Sequence, residues 1–193
     1  MMYFHRKQAE KRKICMHPIT AEIHKAIVRA TEGLTEEQLR RHPEGKWDSA
    51  SILEHLALTY GSTARVMDKC IREGRTLATS ATMRHRAAQL LVLGFSYIPG
   101  GRKAPERVVP AGVGSKEALQ LIFSNLEKMD EALRKCEEQF GSKKKVADHP
   151  VLGPIPISGW RKFHLLHARH HMKQIEERAR GKTPATRRVA AAS

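Results

Sequence analysis

The sequence predicts an all-α fold, a bundle of four long helices with short extra helices and long connections. Apolar residues recur at i, i+3 and i+4 in four long stretches, as in helices with one buried face. Glycine and proline, which break such stretches, gather around 94–114 and 150–159. A 40% hydrophobic fraction with only 5% aromatic residues suits an aliphatic, helix-packed interior, and no pair of segments reads as strands. At 193 residues the chain has the length of one ordinary domain able to bury a sizeable core.

The elements follow in order. After a basic arm over 1–16, His17-Pro18 marks a helix start, because proline in a first turn lacks only an N–H that has no helical partner. Ile19, Ile23, Ile27 and Ala30 continue at helical spacing, and Gly33 ends the run. Leu34 before Thr35-Glu36-Glu37-Gln38 reads as a staple residue and a capping box opening a short helix, which the stretch from Arg41 to Gly45 closes. A second long helix starts at Asp48 or Ser49 and runs to Glu73, stopped by Gly74, with Ile52, Leu56, Val66 and Met67 as anchors. Residues 80–98 hold another apolar helical stretch, and the segment 99–114 is a loop by composition.

Ser115 is expected to cap a third long helix, Lys116 to Phe140, carrying Leu119, Ile122, Phe123, Leu126, Met129 and Leu133. Gly141-Ser142 and three lysines lead into a proline-rich turn, and a fourth long helix spans Ser158 to Arg180. The chain thus divides into a basic arm (1–16), a helical bundle (17–181) and a small, polar, basic tail (182–193) expected to be disordered.

Bulk properties exclude several functions. No stretch reaches the roughly 18–20 apolar residues of a membrane span, and the N-terminus has no apolar core of a secretory signal, so the expectation is a cytoplasmic protein with no membrane partner. Cys15, Cys70 and Cys136 are far apart and form no C-x-x-C pair, which leaves reduced structural thiols. The net charge of +15 invites a nucleic-acid reading, since Lys and Arg release counterions from phosphates. Its distribution argues against one. Residues 1–16 hold five basic side chains against one acid and residues 178–193 five with none, so nine of the fifteen net charges lie at the ends. The remainder has no aromatic platform or recognisable nucleic-acid motif.

Eleven histidines is a high count, and four crowd together as His164, His167, His170 and His171. On a helix turning about 100° per residue, His167 and His171 lie about 40° apart and one turn along, so both can reach one metal ion. Gln174 falls about 20° to the other side of His167, placed to line the same pocket or support a ligand. A third ligand should come from another helix, and His55 is the best candidate. Asp48, Ser51, Thr59 and Ser62 fall within about 40° of it, a polar line through an otherwise amphipathic helix. That line fits a small wet cavity with a metal at its centre; it also fits a solvent-facing stripe with His55 an ordinary surface histidine. His164 lies about 60° from His167 and is a substitute for His171 or a supporting group, while His170 competes with His171.

Trp47-Asp48, Ile52-Leu53 and His55-Leu56, together with His167, His170-His171 and Gln174, resemble the two signature segments of the DinB/YfiT-like superfamily. The lead-in from Asp148 into the fourth helix is similar to a branch described as a domain of unknown function. The resemblance spans roughly 17–180, with 47–56 and 148–177 its specific parts. It implies a four-helix bundle of DinB/YfiT type, with an unusual connection order and one divalent ion per chain on His55, His167 and His171. The ion is expected to be Zn first and Ni next, since imidazole suits several metals and affinity alone does not select among them. The family's usual H-R-G-Q stands here as His171-Met172-Lys173-Gln174, which keeps the ligand and the glutamine.

The implied function is a metal-dependent enzyme, a transferase or hydrolase that activates water or a low-molecular-weight thiol for attack on a small-molecule substrate. Thr59 and Ser62 would line the pocket, with Gln174, His164 and Asp48 as candidates for catalytic support. The alternative is a non-catalytic metal-binding protein whose basic tails contact nucleic acid or another acidic partner. The apolar run from Leu90 to Phe95 offers a homodimer contact, or ordinary core packing of a short helix.

Overall fold

The computed structural model describes residues 16–99 and 103–181. Nearly all of the basic arm (1–16) and the whole basic tail (182–193) lie outside the described residues, and with them Cys15.

Local chemistry sets the helix ends. Helix α1, Pro18–Thr31, begins where His17 Nδ1 accepts from the Ile19 N–H at 3.2 Å. Helix α2, Glu36–Arg40, carries the expected capping box: the Thr35 hydroxyl accepts from Gln38 N–H while the Gln38 carbonyl oxygen accepts from Thr35 N–H. Helix α3, Ser49–Glu73, is capped by the Asp48 carboxylate on Ser51 N–H at 2.7 Å. It ends on Gly74 at φ 65°, a left-handed conformation that glycine adopts without a Cβ penalty.

Helix α4, Met83–Gln89, runs into a π-helical turn at Leu90–Gly94, and a 3₁₀ turn follows at Glu106–Val108. Helix α5 spans Ser115–Phe140, and its cap position is Gly114. The expected capping role of Ser115 is therefore corrected. That side chain is buried and donates to Glu36 Oε1 at 2.9 Å, tying α5 to α2. Helix α6 is Ile157–Ala179.

The fold is mainly helical, with one small antiparallel sheet among the described residues. Helix α3 packs along α5 and α1 along α6, and the largest fully buried side chains include Ile23, Ile27, Tyr60, Leu126 and Leu133. No helix of the described residues is long and apolar enough to cross a membrane. Polar ties close the far end. Asp130 accepts from Thr20 Oγ1 at 2.6 Å and His17 N–H at 3.1 Å, and buried Arg161 meets Glu137 at 2.5 Å. Cys70 and Cys136 are buried free thiols on α3 and α5.

The sheet corrects the sequence reading, which found no strand pair. Strand β1, Lys145–His149, pairs with β2, Gly153–Pro156, with a bulge between Lys145 and Ala147. Pro150, Pro154 and Pro156 hid it, because proline cannot donate to a ladder. The pair forms all the same, with Asp148 opposite Pro154 and Lys145 opposite Pro156, and Leu77 N–H donates to the Val146 carbonyl oxygen of β1 at 2.7 Å. At its turn His149 Nδ1 accepts from the Val151 and Leu152 N–H groups, both at 3.1 Å.

Gly153 sits at φ 62°, and a Cβ there would meet His85 Nδ1 at 2.2 Å. Gly153→Ala is expected to destabilise the fold by about 1–2 kcal/mol through backbone strain alone, read as a lowered Tm. In the Leu90–Phe95 run, Val92 is buried whereas Leu90 and Phe95 are 61% and 72% exposed, so the run is not wholly core.

Candidate metal centre

Helices α3 and α6 meet in an antiparallel seam. At its inner rung the buried Thr63 hydroxyl lies 3.0 Å from His164 Nε2, with the Tyr60 ring 5.4 Å from that imidazole. One rung outward, His55 faces His167 and His171. Their ligand atoms all lie within 4.8 Å of one another, and the cluster is able to hold a metal ion. Trp47 flanks His55 at 5.1 Å between ring centroids, and Phe163 stacks on His167 at 5.2 Å.

The hydrogen bonds around the cluster decide what it needs. His55 Nδ1 is 2.7 Å from the Val108 carbonyl oxygen. A carbonyl only accepts, so Nδ1 carries the proton and Nε2 of the neutral ring presents a bare lone pair. His171 is held alike. The Gln174 amide nitrogen lies 3.1 Å from His170 Nε2, which turns its oxygen to within 2.9 Å of His171 Nδ1. Between these two, His167 Nε2 sits 3.4 Å from His55 Nε2 and 3.0 Å from His171 Nε2.

A neutral His167 has at most one proton at that nitrogen, so at least one of the two neighbouring lone pairs is left without a donor. Protonating a further ring nitrogen would supply the missing donor, but burial opposes it. His171 is pushed down to about 3, chiefly by burial and then by the His55 charge, and burial lowers His55 and His167 as well. A shared divalent cation accepts all three lone pairs at once. The residues therefore fit a metal ion, and Val108 and Gln174 act as the orienting partners that ligating histidines require.

Other predicted site residues have different placements. The Thr59 hydroxyl donates to the His55 carbonyl oxygen at 2.8 Å, within its own helix. Ser62 is half-buried, and it is the neighbouring Thr63 that reaches across to α6. Asp48 is occupied as the α3 cap and lies 3.6 Å from Arg40 Nη1. His164 is fully buried beside Thr63, Tyr60 and Trp160, one rung below the cluster.

Sequence reasoning missed the contributions of Val108, His170 and Glu54. Buried Glu54 precedes His55, and its carboxylate accepts from the N–H groups of Ala111, Gly112 and Val113 at 2.8, 2.9 and 3.1 Å. It thereby holds the loop whose Val108 carbonyl orients His55. An acidic residue beside a candidate ligand was the only signal available.

His149, nearby but outside the cluster, sets a pH dependence. Burial, helped by the Arg107 charge, pushes it down to about 3 from 6.5. Below pH 6.5 the unfolded chain takes up a proton that the folded chain refuses. The contribution of this one group is therefore full above that pH and falls as pH drops toward 3, by at most about 1.4 kcal/mol per pH unit. The other buried imidazoles act in the same direction. In urea titrations at pH 7, 6 and 5, His149→Asn is expected to flatten this slope while its carbonyl oxygen still accepts the two turn N–H groups.

No curated protein and no solved structure matches the chain. The family whose profile matches, over residues 16–178, is described as a protein of unknown function (DUF1569). This finding overturns the resemblance to the DinB/YfiT-like superfamily. The two segments that carried it encode a geometry, a histidine pair one turn apart facing a third histidine, and geometry of that kind is not specific to one family. By a match that extends over most of its length, the chain belongs to the DUF1569 family.

Proposed function

We propose that the protein is a metal-dependent enzyme acting on a small molecule, with one divalent ion per chain on the Nε2 atoms of His55, His167 and His171. The convergence of these atoms, with the opposite nitrogens of His55 and His171 committed to Val108 and Gln174, carries the reading. Three imidazole ligands are the donor set of an open site, and such an ion, when bound, supplies a Lewis-acid centre that makes water or a thiol nucleophilic near neutral pH. Zn is the first choice, Ni the second.

The chain's own residues hold and shield this centre. Val108 and Gln174 fix two imidazole orientations, Phe163 steadies His167 by stacking, and Trp47 covers one side of His55. Half-buried Thr59 and Ser62 extend the polar line of α3 near the site, within the four long helices read as one bundle. His164, bonded to Thr63, backs the site from the inner rung and offers a further imidazole for proton handling.

Metal analysis of the purified full chain tests the reading. About one equivalent of Zn or Ni per chain supports it, and a Co-substituted sample whose visible spectrum changes with added thiol would favour thiol over water as the nucleophile. A chain that takes up none of Zn, Ni and Co at neutral pH is not this enzyme.

A further inference from the structure

One turn beyond Gln174, the α6 stripe ends in Arg178. Taking His167 as origin, His171, Gln174 and Arg178 all fall within about 40° on a helix of 3.6 residues per turn, so one face of α6 carries the whole series. The opposite wall repeats the pattern, because Asp48 precedes His55 by seven residues on α3, about two turns along the same face. The seam is thus ordered from its buried end outward: Thr63 with His164, His55 with His167 and His171, and then Asp48 with Arg178. The Arg178 guanidinium is close enough to Asp48 and to His171 for their charges to act on one another. From His171 to Arg178 the backbone rises by about 10 Å, and helical side chains lean toward the N-terminus, which brings the guanidinium back toward the cluster.

Arg178 is unlike the other basic residues at this end. Its Nε and Nη1 atoms are buried with no hydrogen-bond partner among the described residues. A buried, unsatisfied donor on a charged group is costly, and such groups normally have a partner. The acids around it are engaged elsewhere. Asp48 caps α3 and faces Arg40 at 3.6 Å, and Glu177 lies 4.0 Å from Lys173. What remains is a fixed cation whose Nε and Nη1 groups are unpaired among the described residues, at the outer rung of a seam whose next rung holds the histidine cluster. Guanidinium N–H groups recognise carboxylates and phosphates through paired, charge-assisted hydrogen bonds.

We propose that Arg178 is the oxyanion-binding residue of this site, taking the carboxylate or phosphate of a small substrate whose reacting group lies at the three-histidine centre. The proposal rests on the metal reading for the second half of that statement and on Arg178 itself for the first. It narrows the substrate class to small anions with the reacting group a few bonds from the charged end.

The test is calorimetric titration of the full chain, loaded with one equivalent of Zn, with inorganic phosphate and separately with benzoate. Wild type is expected to bind at least one of the two. Arg178→Gln should weaken that binding at least tenfold and Arg178→Lys should restore part of it, with bound Zn and circular dichroism unchanged in both. The phosphate and benzoate arms distinguish the two headgroups. No binding by wild type, or equal binding by a folded Arg178→Gln, overturns the proposal. If wild type takes up no metal, the metal reading fails separately. The same titrations on the metal-free chain then decide whether Arg178 binds an oxyanion.

Discussion

His171→Ala is expected to abolish stoichiometric metal binding, taking bound Zn from about one equivalent to near zero after dialysis. His171 is one of three donors, and its removal leaves two imidazoles from different helices, too few to hold the ion against solvent. Loss of orienting partners alone commonly weakens a site 10–100-fold, so loss of a ligand should exceed about 100-fold. Within the series, His55→Ala and His167→Ala should match His171→Ala. Gln174→Ala should fall between these and wild type, because it leaves the His171 ring in place but releases its Nδ1. Plasma mass spectrometry and competition with a chromophoric chelator give both numbers. A His171→Ala protein that keeps a full equivalent would sink the three-histidine assignment.

Metal-free His171→Ala should also fold at least as well as wild type, which sets a ligand apart from a core residue. Removing it takes one lone pair out of a crowded group, with His167 Nε2 now facing only His55. Urea midpoints for the two metal-free proteins make the comparison, and a midpoint well below wild type would mark His171 as a packing residue.

Glu54→Ala is expected to have the largest effect on stability of any single polar change near the site. Three backbone N–H groups on one loop converge on that buried carboxylate. A hydrogen bond to a charged group contributes about 1.5–3 kcal/mol, and water recovers part of the loss at exposed Ala111 and Gly112, so the total is on the order of 3 kcal/mol, measured as a shift in urea midpoint. A second consequence is distinct from stability. Glu54 touches no candidate ligand, yet it anchors the segment that carries Val108, so metal affinity should fall by about 10-fold or more. Glu54→Gln keeps one acceptor oxygen and should lie between. An unchanged urea midpoint in Glu54→Ala would remove the clamp from this account.

These two predictions also show what was legible in the sequence. Histidines 167 and 171 could be read directly, because their spacing on one helix is a local property and the helix itself was announced by periodicity. Helix ends at Thr35, Asp48 and Gly74 were legible for the same reason, each being set by residues within one turn. His55 needed a tertiary argument, and the polar line on its helix supplied only part of one. That line pointed to Ser62, whereas the residue that crosses to α6 is Thr63, one position and about 100° further round.

Val108 was invisible. Its contribution is a backbone carbonyl, which every residue type owns, delivered by a loop that composition marked only as a loop. Glu54 was hidden by the opposite rule, since an acid on a long helix normally reads as a solvated charge. The hairpin was concealed by its prolines. Family membership was misread because a three-histidine geometry is a solution that unrelated helical proteins can share, and only a profile over the whole length separates them.

The two buried thiols among the described residues have a consequence for how opening of the molecule can be followed. Cys70 and Cys136 are fully buried on α3 and α5, and burial pushes Cys136 up to about 12 and raises Cys70 as well. The thiolate is the nucleophile, so neither sulfur reacts with an alkylating reagent while these helices stay together. Alkylation at Cys70 and Cys136 therefore counts separations of α3 from α5. An ion held by α3 and α6 in the folded state alone lowers that count in proportion to its own binding. The chain carries an internal clock for ligand capture, with Cys70 about four helix turns along α3 from His55 and chemically independent of it.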